Sequence, residues 1–307
     1  MNIDANLLTA AALCSRLCKS DELKYLSFTL WHRLIADLSD KEIYNPSYLL
    51  GCTATEIEKL GFDDNFAGRI ARLCNTVDDV ADKIGQFAAD GIYMMGMDDE
   101  NYPEKLLYRL QSLAPPVLFY AGNAKLCNTR SIAAVGSRTP SQSGKLFANK
   151  LGKSAAKAGL TLISGGADGC DCIAEYSATA NGGSAVLYLA VPLIKRMKNA
   201  RVAQLRREGR ICLISDHSPT DSFNAGYALA RNKYIYAAGE CAVVCESGAE
   251  KGGSYNGAMA CINGGYGNVY AYDNKKCYGN QMLIANGATP MDAECGELFS
   301  LPFSRKR

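Results

Sequence analysis

Histidine is nearly absent from this chain, with two among 307 residues, and tryptophan occurs once. Since His32 and His217 are the only imidazoles and no paired Cys-x-x-Cys units occur, the sequence predicts no metal site. It also has no apolar run long enough to cross a membrane. Its N-terminus lacks the basic start and apolar core of a signal peptide. We therefore expect a globular cytoplasmic protein without a membrane segment, metal or other cofactor.

Cysteine is abundant, at thirteen residues that are irregularly spaced and mostly set in apolar runs. This usage predicts reduced thiols that serve as small core residues. Charge is unevenly distributed, because residues 1–100 contain 9 basic and 17 acidic side chains whereas residues 101–307 contain 24 and 14. The second part is where an anionic partner would bind. Its densest basic run, 195–210, is either a solvated helix face or a phosphate-binding patch.

The apolar pattern divides the chain into a helical and an alternating part. Residues 1–90 predict a small all-helical domain with a helix over 5–36, another over 77–90, and a capping box from Thr53 to Glu56. After that, strands alternate with helices. The main predicted strands are 132–135, 160–163, 184–190, 211–214, 241–244 and 268–272. This order predicts an α/β fold with a doubly wound, mostly parallel sheet.

Two glycine-containing turns follow the first two strands of the alternating part, and each precedes a predicted helix. A strand, a glycine turn and a helix start together form the usual phosphate site of α/β proteins. An arginine on the first turn can grip a phosphate with two hydrogen bonds. Each turn alone also fits ordinary loop chemistry. The candidate phosphate-binding residues of the two turns are Gly136, Ser137, Arg138, Ser164, Gly165 and Gly166.

Six motifs occur in a fixed order between residues 92 and 260. They comprise 99–106 (D-x-x-Y-P-x-x-L), 115–123 (P-P-x-L-F-x-x-G-N), 134–138 (V-G-S-R), 163–171 (S-G-x-A-x-G-x-D), Phe223 with 230–235 (R-N-K-x-I), and Glu246 with 252–254 and Ala258. On these residues the chain resembles the DNA-processing protein A (DprA/Smf) family. It looks like a divergent, short member, since the C-terminal winged-helix module of many members does not fit after residue 280.

The resemblance implies an extended Rossmann-like domain over 91–280, preceded by a helical domain over 1–90 that is similar to SAM or helix-hairpin-helix modules. A short tail, 281–307, would follow. The resemblance also implies a non-enzymatic protein that binds single-stranded DNA. Such a protein would protect incoming or damaged strands and help to load the RecA recombinase in natural transformation and recombination. A homodimer is expected on the same grounds.

The resemblance adds Arg231, Asn232, Lys233, Gly253 and Ser254 to the candidate phosphate-binding residues. Among all the candidates, Arg138 and Lys233 are expected to converge on one stretch of DNA backbone. Arg231 and Asn232 could instead be a buried pair that shapes the loop, with Arg231 bound to Glu246. The side chains of Tyr234 and Tyr236 either stack on bases or pack in the core.

Some positions depart from the family pattern and leave another class of function open. Asp168 stands where the family usually has arginine, and Glu175 stands near the usual histidine. The alternative is a nucleotide-binding enzyme or sensor similar to LOG (lysine-decarboxylase-like) proteins, which place Gly-Thr and a glutamate after a comparable glycine loop. Here Ala258 and Met259 follow the loop instead, so we expect no catalysis. Release of free base from nucleoside monophosphates would distinguish the enzyme from the binding protein.

Overall fold

The computed structural model describes residues 3–18, 24–248 and 252–296, and it divides into two compact units. The smaller unit comprises 1–102, 111–120 and 216–221. The larger unit comprises 103–110, 121–215 and 222–307. Neither unit is one continuous stretch of chain, because short segments of each interrupt the other. The division into 1–90, 91–280 and 281–307 remains a prediction.

The smaller unit is built of helices around an apolar core that includes Leu13, Leu34, Leu49, Ile70 and Leu73. Strand β1 (Tyr93–Gly96) pairs antiparallel with β2 (Val117–Gly122). The capping box at Thr53 and Glu56 is confirmed. The helices are α1 (Ala5–Cys14), α2 (Phe28–Ser39), α3 (Ala54–Glu58), α4 (Asp64–Cys74) and α5 (Val77–Ala89), with a 3-10 helix over Pro46–Leu49 and another over Gln111–Leu113.

The single helix predicted over 5–36 is wrong, because the structure has two helices there. Helix α1 ends at Cys14, and Arg16 adopts a φ of 55°, a left-handed conformation that does not continue a helix. Helix α2 begins only at Phe28, where the Ser27 hydroxyl accepts the N–H of Leu30 as an N-cap. The two helices also differ in burial, because α1 is buried continuously from Thr9 to Cys14 whereas α2 buries one face with Trp31, Leu34 and Leu38. Residues 19–23 of the predicted helix lie outside the described residues.

The larger unit is organised around parallel strands in the order β6-β5-β4-β3-β7-β8-β9. The central strands are apolar and completely buried, as expected where helices cover both faces of a parallel sheet. The strands are β3 (Ser131–Val135), β4 (Thr161–Ser164), β5 (Ala185–Tyr188), β6 (Ile211–Ser215), β7 (Cys241–Val244), β8 (Asn268–Tyr272) and β9 (Thr289–Met291). The predicted doubly wound, mostly parallel α/β fold is confirmed.

Eight helices connect or flank these strands in the described part of the larger unit. They are α6 (Glu104–Leu110), α7 (Gln142–Lys157), α8 (Cys170–Ala180), α9 (Leu193–Met197), α10 (Ala200–Arg207), α11 (Ala225–Ala238), α12 (Gly253–Gly264) and α13 (Tyr278–Ala285), with a 3-10 helix over Ala124–Asn128. Successive strands β3 to β6 run towards one side of the sheet, whereas β7 to β9 lie on the other side of β3. The order therefore reverses between β3 and β7, and such a switch point leaves a crevice at the carboxyl ends of the strands.

The segment predicted as a tail from residue 281 contains the end of α13 and all of β9. Asn280 fixes this region, because its buried side-chain amide donates to the carbonyls of Val244 (3.2 Å) and Tyr272 (3.0 Å). Its Oδ1 accepts the N–H of Ser247 at 2.9 Å. A single side chain thus joins α13 to the ends of β7 and β8. Residues 297–307 lie outside the described residues.

Ten of the thirteen cysteines are buried, and all thirteen are free thiols. Burial raises the pKa of Cys241 to about 12 and that of Cys261 to about 11, as expected of thiols that serve as core residues. No group of side chains suited to hold a metal ion occurs in the described residues. Within the same residues, no helix has the length and apolar character needed to cross a membrane.

Candidate nucleic-acid interface

A cavity of about 530 Å³ opens at the switch point of the larger unit. The turn after β3, helix α11 and the start of α12 form its walls. It brings together residues that are far apart in the chain, as the convergence of strand ends predicts. The predicted site residues that line it are Gly136, Ser137, Arg138, Arg231, Asn232, Gly253 and Ser254.

The first glycine turn reaches the cavity mainly through its arginine. Arg138 is exposed, lines the cavity and forms no ion pair with a described residue. The backbone N–H of Ser137 is already used, because it donates to the carbonyl of Glu246 at 2.7 Å. The carbonyl of Ser137 accepts the N–H of Cys170 at 3.0 Å. An anion at this turn would therefore meet the Arg138 side chain rather than the Ser137 amide.

The predicted site residues of the second glycine turn do not line the cavity, although Ala167 just after them does. Ser164 and Gly165 are buried, and Gly166 is half-buried with a φ of 60°. The guanidinium of Arg231 covers Gly165 so closely that a Cβ at this position would overlap Nη1. Glycine is needed at 165 because it leaves room for the arginine. The side chain of Arg231, and not the backbone of 164–166, therefore faces the cavity.

Arg231 is buried and forms an ion pair, and its partner is Asp171 and not Glu246. Its Nη1 lies 3.7 Å from Oδ2 of Asp171, whereas the carboxylate of Glu246 binds Ser141. The pairing of Arg231 with Glu246, one of the two alternatives left open by the sequence, is not formed. Burial lowers the pKa of Arg231, with Asp171 opposing and the nearby charge of Arg138 adding to the shift. Nε of Arg231 makes no hydrogen bond to a described residue.

The N-terminus of α12 opens into the same cavity. Its N-cap is Gly252, which has no side chain to cap the helix, and Gly253 is exposed. Ser254 donates its hydroxyl to the carbonyl of Gly136 at 2.8 Å, and Asn232 donates its amide to the carbonyl of Gly253 at 3.3 Å. These two bonds tie α12 to the first glycine turn and to α11. The first turn of a helix presents unpaired N–H groups and a partial positive charge, which suit an anion.

Two exposed apolar side chains border the cavity. Phe223 is 50% exposed and Leu229 is 61% exposed, although both belong to the cavity lining. Phe223 was not among the predicted site residues. Its place just before α11, in the motif that also contains Arg231, was the available signal. An exposed aromatic ring beside cationic groups is a stacking surface of the kind that single-stranded nucleic acids use.

The side chains of Tyr234 and Tyr236 are core residues. Both are buried, and the Tyr236 hydroxyl donates to the carbonyl of Ser254 at 2.7 Å. The Tyr234 ring packs near Tyr188, with 6.2 Å between ring centroids. Of the two interpretations of these tyrosines, packing is the one that the structure supports. Lys233 lies on the exposed side of α11, in the middle of the helix, and does not line the cavity.

Comparison with known proteins identifies the family. A family model described as DNA recombination-mediator protein A matches residues 93–299, about two thirds of the chain. The chain belongs to the DNA recombination-mediator protein A family. The predicted family resemblance is thereby confirmed.

Two family relatives match at the level of sequence. Protein Smf from Synechocystis sp. is 29% identical over 220 residues, which cover 66% of this chain and 52% of Smf. The chain thus spans about half the length of that relative. DNA processing protein DprA from Bacillus subtilis is 26% identical over 265 residues, which cover 83% of this chain and 82% of the relative.

Solved structures of DNA processing protein A share the fold. The X-ray structure of the Streptococcus pneumoniae protein superposes with a TM-score of 0.74 at 20% identity, covering 99% of this chain and 100% of that one. A structure of the Helicobacter pylori protein, which describes a single-stranded DNA binding mode, gives a TM-score of 0.53 at 20% identity. The second match covers 65% of this chain and 90% of the other.

The main departure from the family pattern lies outside the cavity. Asp168, at the position where the resemblance implies an arginine, is exposed just before α8 and does not line the cavity. Glu175 is buried and binds Arg196, with an Nη2 to Oε2 distance of 2.8 Å. Neither Asp168 nor Glu175 belongs to the cavity lining.

The basic run 195–210 is largely structural. Arg196 binds Glu175, Arg201 stacks on the Tyr176 ring at 3.7 Å from its centroid, and Arg210 donates to the carbonyl of Gly183 at 2.7 Å. These arginines hold α8 and neighbouring loops together and are not free to track a phosphate backbone. Within the described residues, the exposed cations of this run whose side chains form no ion pair are Lys195, Lys198 and Arg207.

Proposed function

We propose that this chain binds single-stranded DNA in the cavity at the β3–β7 switch point. The observation that carries the proposal is that the N-terminus of α12, whose N-cap Gly252 has no side chain, opens into the same cavity as Arg138 and Arg231. Among the described residues, the one carboxylate in the lining is that of Asp171, and it is engaged by Arg231. The cavity wall is therefore cationic, and it suits a phosphate.

Each part of the cavity has a distinct role in this proposal. The α12 N-terminus and the guanidinium of Arg138 bind successive backbone phosphates, and buried Arg231 supplies a fixed positive charge behind them. Phe223 stacks on a base at the rim, and Leu229 extends the apolar surface. None of these groups reads the edge of a base. Binding is therefore expected to tolerate any sequence, and a splayed single strand fits better than a duplex.

The family and a fold relative support the same function. The chain belongs to the DNA recombination-mediator protein A family, and the Helicobacter pylori relative was studied for its binding of single-stranded DNA. We extend the proposal to protection of single strands and loading of a RecA-type recombinase, in transformation or recombination, by a cytoplasmic homodimer. These finer roles rest on the family alone.

We also propose that the chain does not hydrolyse nucleotides. Glu246, the acidic residue of the last of the six motifs, does not line the cavity and is bound to the N–H of Ser141 at 2.8 Å. Asp171 is engaged by Arg231 and by the N–H of Gly165 at 3.2 Å. Incubation with AMP or CMP followed by chromatography should yield no free base. Base release that Glu246→Ala abolishes would favour the LOG-like enzyme instead.

A salt-dependent titration tests DNA binding directly. Fluorescence anisotropy with a labelled oligo-dT strand, a mixed-sequence strand and the matching duplex should give similar affinities for the two single strands and weaker binding to the duplex. Log affinity should fall with log salt by about 0.7 for each phosphate neutralised. Equal or tighter binding to the duplex at the same salt, or a slope near zero, would refute the proposal.

A further inference from the structure

Glu246 holds the first glycine turn at both of its ends. It lies two residues after the end of β7, and its backbone carbonyl accepts the N–H of Ser137 at 2.7 Å. Its side chain accepts the N–H of Ser141 on Oε1 at 2.8 Å and the hydroxyl of Ser141 on Oε2. One residue thus fixes the beginning of the turn through its backbone and the end through its carboxylate.

The chain is shaped to admit this carboxylate at the N-terminus of α7. The hydroxyl of Ser141 caps α7 by accepting the N–H of Gly144 at 3.2 Å. A Cβ on Gly144 would overlap Oε2 of Glu246, so glycine is needed at this position to let the carboxylate approach. A negative charge at a helix N-terminus is stabilised by the helix dipole. The place where an α/β fold commonly binds a phosphate is thus filled by the protein's own carboxylate.

Arg138 lies between the two attachment points of Glu246. Its side chain is exposed and makes no ion pair within the described residues, so its direction depends on the backbone of the turn. Glu246 itself is absent from the cavity lining, whereas Arg138 belongs to it. Glu246 therefore acts on the cavity through the turn and not by touching a ligand.

We propose that Glu246 is a positioning residue, which orients Arg138 towards the DNA backbone by clamping the turn 137–141. The inference rests on the proposed binding of single-stranded DNA. Loss of the carboxylate frees Ser141 and lets Arg138 sample directions away from the cavity. Affinity falls because the ordering of the turn must then be achieved on binding.

Two variants of Glu246 and a matched control test the clamp. Glu246→Ala should weaken binding of oligo-dT by about five- to tenfold, the loss of a charge-assisted contact. Glu246→Gln, with one acceptor oxygen, should fall between that variant and the wild type. Asp63→Ala is the control, because Asp63 caps α4 by accepting the N–H of Phe66 at 3.0 Å. Asp63→Ala removes one negative charge from the N-terminus of another helix and should leave DNA affinity unchanged.

A double variant and hydrogen exchange separate positioning from stability. In an Arg138→Ala background, Glu246→Ala should cost no further affinity, because the side chain that it orients is gone. Independently of DNA, Glu246→Ala should speed amide exchange of Ser141, and Asp63→Ala should not. The positioning role alone would be overturned by either of two results. One is faster exchange with unchanged DNA affinity, and the other is a loss of affinity from Glu246→Ala that is as large in the Arg138→Ala background as in the wild type. Failure of the wild type to bind single strands would overturn the proposed function and the inference together.

Discussion

The carboxylate of Asp171 lies 3.7 Å from the guanidinium of Arg231, and both side chains are buried at the wall of the cavity. Burial raises the pKa of Asp171 and lowers that of Arg231, although each charge favours the ionised form of the other. The pair is thus held against a desolvation cost. The pairing also fixes the positive charge of Arg231 beside the cavity. A flexible surface side chain would not hold its charge in one place.

Replacing one member of this pair should destabilise the protein more than replacing both. Asp171→Asn or Arg231→Met should each lower the free energy of unfolding by about 3 kcal/mol, because a buried charge is left uncompensated. The double variant Asp171→Leu/Arg231→Met should recover most of that loss. Urea unfolding followed by circular dichroism measures all three. Additive losses in the double variant would contradict the interpretation.

The pH dependence of stability should report Asp171. A carboxyl whose pKa is higher in the folded than in the unfolded chain binds more protons when folded, so its contribution to stability is lost as the pH rises from about 3.8 through the raised pKa. The free energy of unfolding of the wild type minus that of Asp171→Asn should therefore decrease between pH 4 and pH 7. Urea titrations across this range measure the difference. A difference that increases with pH would show that Arg231, and not burial, dominates the pKa.

The sheet could be predicted from the sequence because its buried strands are short apolar runs bounded by turns. The predicted strand 241–244 has the observed bounds, and 211–214 differs by one residue. Strand β9 escaped prediction because three residues that include a proline show no periodicity. The break between α1 and α2 escaped prediction because the left-handed residue there is Arg16, and not the glycine or asparagine that commonly signals a helix end.

The candidate site was predictable in part, for a physical reason. Strand ends converge at a switch point, so residues from separate turns could be expected to share one site. The expected convergence was that of Arg138 with Lys233, and Lys233 does not line the cavity because it lies on the exposed side of α11. The partner of Arg231 could not be predicted, because Asp171 is distant in sequence and equally acidic candidates existed. Likewise, Ser164 looks like a ligand-binding serine, and only the packing of Arg231 over Gly165 explains why it stays outside the cavity.

Arg196 should matter for stability and not for DNA binding. It binds Glu175, whose side chain is 7% exposed and whose pKa is raised by burial. Arg196→Ala leaves that carboxyl buried and unpaired, and should lower the free energy of unfolding by about 2 kcal/mol. Lys198→Ala, at the C-cap of α9, removes an exposed charge and should change stability by less than about 0.5 kcal/mol. Urea unfolding compares the two. An Arg196→Ala protein that is fully stable but binds DNA poorly would instead place the DNA path over 195–210.

Phe223 should contribute to DNA affinity through its ring. Phe223→Ala should weaken binding of oligo-dT by about 1–3 kcal/mol, the usual worth of a base stacked on an aromatic side chain. Phe223→Tyr should bind as the wild type does, since the ring is kept. Leu146→Ala is the control, because Leu146 is 60% exposed on α7 and lies outside the cavity lining. Fluorescence anisotropy at fixed salt measures all three, and equal effects of Phe223→Ala and Leu146→Ala would refute the stacking role.

Arg138 and Lys233 can now be ranked as DNA contacts. Arg138 faces the cavity, whereas Lys233 projects from the exposed side of α11 outside its lining. Arg138→Ala should therefore weaken single-strand binding by about 1–2 kcal/mol and flatten the salt slope by about 0.7, the effect of one lost phosphate contact. Lys233→Ala should have a smaller effect on both, because a strand reaches it only by extending beyond the cavity. Neither change should unfold the protein, since an exposed cation contributes little to stability.

Lys198→Ala, a matched removal of one exposed charge, sets the baseline for loss of net charge. Titrations at several salt concentrations give affinity and slope together, and a larger effect of Lys233→Ala than of Arg138→Ala would move the DNA path from the cavity to the outer face of α11.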